Sequence, residues 1–219
     1  MVEYDKDAIV YPYITEYLRK ETPCHTGILK ELEDYAHAND VPIVTKETAQ
    51  LLEVLSLIKR PKRILEVGCA IGYSAILMSE YLEDGGTITT LEWDSDMAEI
   101  ARKNIEKAGK SHVINVINDD AKQVLPTLSA KYDIIFLDGP KAHYIYMLND
   151  CIRLLNKGGL LVSDNVLYKG MIADDEHVIR RKITIVKRLR RFISAQMQRN
   201  ELKTVILPLG DGVTVSVKV

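Results

Sequence analysis

The chain has 219 residues, of which 47% are hydrophobic and 27% charged, with a net charge of −2. That length suits one domain around one core, the composition is ordinary for a globular protein, and no apolar run approaches a membrane span, so a membrane partner is not expected. Cys24, Cys69 and Cys151 are odd in number and lack CxxC spacing, which argues against a disulfide framework and a zinc site.

In chain order, residues 1–7 are charged and carry no apolar signal-peptide core, so a cytoplasmic protein is expected. Residues 1–58 read as the helical N-terminal part of a single 219-residue domain. Pro12 suits a first helical turn. Ile28, Leu29, Leu32, Tyr35 and Ala36 recur at helical spacing, as do Ala49, Leu52, Leu55 and Ile58. From residue 63, short apolar runs (63–67, 87–91, 113–117, 132–137, 159–163) alternate with amphipathic stretches such as 74–82 and 96–108. Repeated βα units predict an α/β fold with a doubly wound, mainly parallel sheet covered on both faces. Residues 204–209 and 213–219 are rich in β-formers and flank Gly210-Asp211-Gly212, which predicts an antiparallel hairpin and brings the sheet to seven strands.

In such a sheet, ligands bind outside the carboxyl ends of the strands. The first strand ends in Glu66-Val67-Gly68-Cys69-Ala70-Ile71-Gly72-Tyr73-Ser74. Gly68 and Gly72 would let backbone amides approach a ligand at a helix N-terminus. Glu92, twenty positions after Gly72 and at the end of the second strand, could accept hydrogen bonds from ribose hydroxyls. The dinucleotide pattern GxGxxG is broken at Ala70 and Tyr73. A tyrosine there would crowd a pyrophosphate, whereas a compact methionine tail would fit.

Asp138 follows the fourth strand, and Asp164-Asn165 follows the fifth. Two carboxylates and an amide suit a hard cation such as Mg²⁺ and leave open positions for a chelating substrate. Lys141, three residues beyond Asp138, could act as a general base beside that cation. Farther on, Arg180, Arg181, Lys182, Lys187, Arg188, Arg190 and Arg191 put seven basic and no acidic residues into twelve positions, which leaves −9 on the rest of a chain whose total is −2. On a helix, Ile179, Ile183, Val186, Ile193 and Met197 would form the apolar face. Arg180, Arg181, Lys187, Arg188 and Arg191 would then point outward, as a solvated face or a phosphate-binding one. Tyr144, Tyr146 and Tyr168 are candidates for stacking on a base.

Together these residues resemble the cation-dependent class I O-methyltransferases, the catechol and caffeoyl-CoA O-methyltransferase family. The likeness runs from about Pro42 onward through residues 64–75, Leu137-Asp138-Gly139-Pro140-Lys141 and Asp164-Asn165-Val166-Leu167-Tyr168-Lys169-Gly170. Within the family the chain is similar to short bacterial members that methylate 5-hydroxyuridine of tRNA. Gly139-Pro140 and Asp119 depart from the usual pattern. The resemblance implies a Rossmann-like fold and S-adenosylmethionine as cofactor. Glu66, Gly68 and Ser74 would hold its methionine end, Glu92 its ribose, and Trp93, Asp120 and Ala121 its adenine, with Val44 also binding it. Asp138 would also border the cofactor. Asp138, Asp164 and Asn165 would bind Mg²⁺ or Mn²⁺, and Lys141 would take the acceptor's proton. The expected acceptor is the 5-hydroxyuridine at the wobble position of tRNA, giving 5-methoxyuridine. The alternative is a small catechol-like molecule with two neighbouring oxygens. A homodimer is the expected assembly.

Overall fold

A computed structural model describes residues 9–219; the charged opening, residues 1–7, lies outside them. Three helices come first: α1 (Pro12–Glu21), α2 (Gly27–Ala38) and α3 (Lys46–Lys59). Pro12 opens α1 as a first-turn proline should. The Thr45 hydroxyl caps α3 by accepting the Thr48 N–H at 3.3 Å. The alternating part then runs β1 (Arg63–Val67), α4 (Tyr73–Ser79), β2 (Thr87–Glu92), α5 (Ser95–Lys107), β3 (Ile114–Asn118), α6 (Ala121–Val124), β4 (Tyr132–Leu137), α7 (Tyr144–Leu154) and β5 (Leu155–Ser163). The chain closes with α8 (Ile183–Gln198), β6 (Leu202–Leu207) and β7 (Val213–Lys218).

These strands form one seven-stranded sheet in the order β3-β2-β1-β4-β5-β7-β6. β1 to β5 are parallel, while β7 runs antiparallel between β5 and β6. The doubly wound sheet and its hairpin therefore stand as the sequence pattern predicts. Their boundaries differ in places. α4 stops at Ser79, because the Glu80 and Tyr81 N–H groups reach back only to Leu77 and Met78 and the Ser79 hydroxyl turns onto the Ile76 carbonyl. β5 starts at Leu155 rather than 159, because Leu155 pairs with Tyr132 before a break in the register.

Successive strand residues point to opposite faces, so each face has its own apolar layer. Ile64, Ile134, Phe136 and Val162 pack with Leu52, Leu77 and Ile105 of the flanking helices. Leu65, Ile135, Leu137 and Leu161 pack with Leu148, Leu189 and Phe192. Among the described residues, no helix is long and apolar enough to cross a membrane.

Phe136 is fully buried on the central strand β4, whereas Ile58 on α3 is 77% exposed. Phe136→Ala is therefore expected to lower stability by about 3–5 kcal/mol, through lost burial and an unfilled cavity. Ile58→Ala should change it by less than about 0.5 kcal/mol. Urea denaturation of the two variants measures the difference; similar midpoints would contradict this placement of the core.

Candidate active site

The strand order reverses between β1 and β4, and their carboxyl ends open into one cavity of about 620 Å³. Val44, Gly68, Ser74, Glu92, Trp93, Asp120, Ala121, Asp138, Lys141, Asp164 and Asn165, all singled out from the sequence, line it.

Gly68 and Gly72 both have left-handed backbone, with φ of 89° and 87°. At Gly68 the need for glycine is twofold, since a Cβ there would lie 2.7 Å from the Asp138 carbonyl oxygen. Glu92, only 7% exposed, fastens this loop from the next strand. Its Oε2 accepts the N–H groups of Cys69 (3.2 Å) and Ala70 (3.0 Å), and its Oε1 that of Asp94 (3.1 Å). Each carboxylate oxygen has two lone pairs, so the group can hold the loop and still accept from a ligand. The Glu92 carbonyl receives the Asp119 N–H, which sets Trp93 beside Asp119-Asp120-Ala121. Asp120 caps α6 through the Lys122 N–H, and that bond holds its carboxyl below the usual carboxylate range.

Glu66 stands elsewhere than a ligand contact requires. It is fully buried and does not line the cavity. On β1 it shares a face with Ile64, so its side chain enters the interior between the sheet and α4. There it accepts the hydroxyls of Ser74 (2.6 Å) and Thr90 (2.5 Å). Burial pushes its carboxyl up to about 7. Glu66 thus reaches the cavity only through Ser74, which lines it.

At the other end of the cavity stand the β4 and β5 termini. The Lys141 amine is 2.8 Å from Asp138 Oδ1. Asp164 is 2% exposed, and its Oδ1 accepts the N–H of Asn165, which has a φ of 56°. Burial, with the neighbouring Asp138 charge, pushes the Asp164 carboxyl up to about 7. Burial also raises Asp138, against the pull of Lys141. Tyr144, expected from the sequence to be a stacking ring, has an unforeseen place: it is fully buried behind the pair, with its hydroxyl aimed at the carbonyls of Leu137 (2.9 Å) and Asp164 (3.2 Å). Among the described residues, no three or more His, Cys, Asp or Glu side chains group as metal ligands. The donor set here is two carboxylates and an amide. A buried carboxylate, Asp164, beside a part-buried one, Asp138, whose charge disfavours its own, fits a divalent cation, which would relieve both.

The basic segment lies outside this cavity, and the predicted helix face is corrected. Residues Arg180–Lys182 form a 3-10 turn, and α8 begins at Ile183. Its buried face is Val186, Leu189, Phe192, Ile193 and Gln196; Ile179, Ile183 and Met197 are exposed. Ile179 precedes the helix; Val186 and Ile193 are covered as predicted, while Leu189 and Phe192 rather than Ile183 and Met197 complete the covered face. Arg180, Arg181, Lys187 and Arg191 are exposed. Arg188 lies 5.3 Å over the Tyr146 ring, and Lys182 lies 5.8 Å over that of Tyr168. Tyr144 is enclosed by Phe192 and has no face for a base. His143, also unforeseen, lines the cavity, and burial lowers its pKa, with Lys122 and Arg188 adding to the effect.

A family model described as O-methyltransferase matches residues 20–219. A catechol O-methyltransferase of Niastella koreensis is 34% identical over 136 residues, 60% of this chain and 62% of that one. Caffeoyl-CoA O-methyltransferase 3 of Nicotiana tabacum is 30% identical over 220 residues, 94% of this chain and 88% of that one. The solved O-methyltransferase from Bacillus cereus in complex with SAH is 25% identical at a TM-score of 0.84, covering 94% of this chain and 97% of that one. TomG from Streptomyces achromogenes, an O-methyltransferase involved in tomaymycin synthesis and solved with SAM, is 25% identical at 0.83, covering 100% and 99%.

The raised carboxyls predict a pH dependence for the ligand-free protein. Glu66 and Asp164 rise from ordinary values of 4.5 and 3.8 to about 7, so between those limits the folded state holds more protons than the unfolded one. Stability should therefore fall as pH rises from about 4 to about 7. Glu66→Gln removes one of these groups and should make the fall shallower. Tm measured across that range is the check; equal slopes for the two proteins would rule out a raised Glu66.

Proposed function

This chain belongs to the O-methyltransferase family, and we propose that it moves the methyl group of S-adenosylmethionine to one of two neighbouring oxygens on a small acceptor, with Mg²⁺ or Mn²⁺ held by Asp138, Asp164 and Asn165. The observation that carries this reading is one cavity with a glycine loop and Glu92 at one end and the carboxylates of Asp138 and Asp164 beside Asn165 at the other.

The residues divide the work by position. Glu92, immobilised by three backbone N–H groups, keeps lone pairs for the ribose hydroxyls. Ser74, anchored on Glu66, presents its hydroxyl to the methionine end, with Val44 and Gly68 as walls. Trp93, Asp120 and Ala121 frame the adenine. The close approach of Gly68 to Asp138 puts cofactor and acceptor in one enclosure, so that methyl carbon and oxygen can be aligned at about 3–3.5 Å. A bound divalent cation supplies Lewis-acid polarisation of the two acceptor oxygens. Lys141 stands beside Asp138 and would, as the neutral amine, take the hydroxyl proton as the methyl leaves sulfur for oxygen.

The names of the relatives support the small acceptor over tRNA, the reverse of the order expected from the closer likeness within the family. A second reading, 5-hydroxyuridine of tRNA, keeps one observation in its favour. Its 5-hydroxyl and O4 carbonyl offer the same bite as a catechol, and Arg180, Arg181, Lys187 and Arg191 lie exposed where phosphates could meet them.

Turnover of a catechol should require Mg²⁺ or Mn²⁺; full activity in excess chelator would remove the cation from the scheme. Lys141→Gln should lower kcat by about 10²–10⁴-fold and leave S-adenosylmethionine affinity, measured by calorimetry, unchanged.

The acceptors are separated by a salt series. Under the tRNA reading, log affinity for tRNA falls against log salt by about 0.7–0.9 per neutralised phosphate, and replacing Lys187, Arg188 and Arg191 with alanine flattens the slope. Under the small-molecule reading, the triple variant and the wild type bind tRNA alike and methylate catechol alike.

A further inference from the structure

The loop Gly210-Asp211-Gly212 does more than reverse the chain between β6 and β7. It abuts both walls of the cavity. On one side, a Cβ at Gly210 would lie 3.0 Å from the hydroxyl of Thr45, the cap of α3 and a cavity-lining residue. On the other side, it grips residues 165–170. The Gly212 carbonyl accepts the Val166 N–H (2.9 Å), and the Asp211 carbonyl accepts the Leu167 N–H (3.0 Å). The Asp211 carboxylate itself accepts the Lys169 N–H at 2.5 Å. Gly212 packs so closely that a Cβ would fall 2.2 Å from Leu167 Cγ.

The gripped segment is unusual. Asn165, Tyr168 and Lys169 all have positive φ, at 56°, 47° and 55°. None is glycine, and such backbone persists in other residues only where surrounding contacts enforce it. The segment begins at Asn165, whose N–H is bonded to Asp164 and whose side chain lines the cavity. Asparagine tolerates such backbone, but Tyr168 and Lys169 adopt it less readily. The hairpin loop bonds the segment at Val166, Leu167 and Lys169.

We propose that Asp211 is a positioning residue: its carboxylate, by holding the Lys169 N–H, keeps residues 165–170 in the left-handed path that presents Asn165 beside Asp164. Its effect on a cation rests on the reading under Proposed function; its effect on the loop does not. The hydrogen bond, rather than the negative charge, is the working part, so asparagine should substitute where alanine cannot.

Two measurements on the full chain test this. In the first, amide exchange is followed at Leu167 and Lys169. Asp211→Ala should speed it by about tenfold or more, while Asp211→Asn stays within about threefold of wild type. Unchanged exchange in Asp211→Ala overturns the proposal. In the second, Mn²⁺ binding is read by electron paramagnetic resonance beside S-adenosylmethionine binding by calorimetry. Asp211→Ala should bind Mn²⁺ about tenfold more weakly with cofactor affinity unchanged, and Asp211→Asn should restore it. Equal Mn²⁺ affinity in wild type and Asp211→Ala overturns the positioning role. An asparagine variant as weak as alanine overturns the hydrogen bond in favour of charge. Failure of the wild type to bind Mn²⁺ defeats the cation reading instead, and the exchange rates alone then decide whether Asp211 holds the loop.

Discussion

Gly68 has no room for even a methyl group, because the backbone of Asp138 and Gly139 occupies the space a Cβ would need. Two chain segments seventy residues apart therefore meet main chain to main chain. The Asp138 N–H continues the ladder onto the Val67 carbonyl, and the Gly68 N–H does the same onto Leu91. The glycine-loop end and the carboxylate end of the cavity are thus joined through paired ends of the central strands. The separation between them is set by strand pairing and does not depend on how flexible side chains settle.

Around that contact, four carboxylates are held in very different ways. Glu92 is satisfied by three backbone N–H groups and Glu66 by two hydroxyls. Asp138 leans on one lysine, and Asp164 on one N–H beside a like charge. Satisfaction declines from the glycine-loop end of the cavity to the carboxylate end. Buried charge without full compensation is costly, so it marks where an external positive charge has most to offer.

Much of this was legible in the sequence, for identifiable reasons. Strands buried on both faces read as unbroken apolar runs, and the residues that follow them fall at one edge of the sheet, which is why the positions around Gly68, Glu92, Asp138 and Asp164 could be gathered into one crevice. Glu66 stands near the end of β1, and its shared parity with Ile64 points it inward onto Ser74 and Thr90. On the basic helix, Val186 and Ile193 are covered as their spacing predicts, whereas Ile179 falls before the separate turn of Arg180–Lys182 and Ile183, at the start of α8, stays exposed. The role of Asp211 was hidden behind its suitability for a tight turn, and that of Tyr144 depends on a side chain reaching across two strands, which no spacing rule encodes.

That tyrosine has a further consequence. Its hydroxyl, fully buried, lies within hydrogen-bonding distance of the carbonyls that terminate β4 and begin the turn after β5, and burial keeps it far above its ordinary pKa. An uncharged aromatic strut therefore gauges the gap between the two strand ends. Because the strut carries no charge and meets no solvent, ionic strength and ordinary pH changes have no purchase on it. The charged groups in front of it can gain and lose protons or ions while the gauge behind them keeps its length.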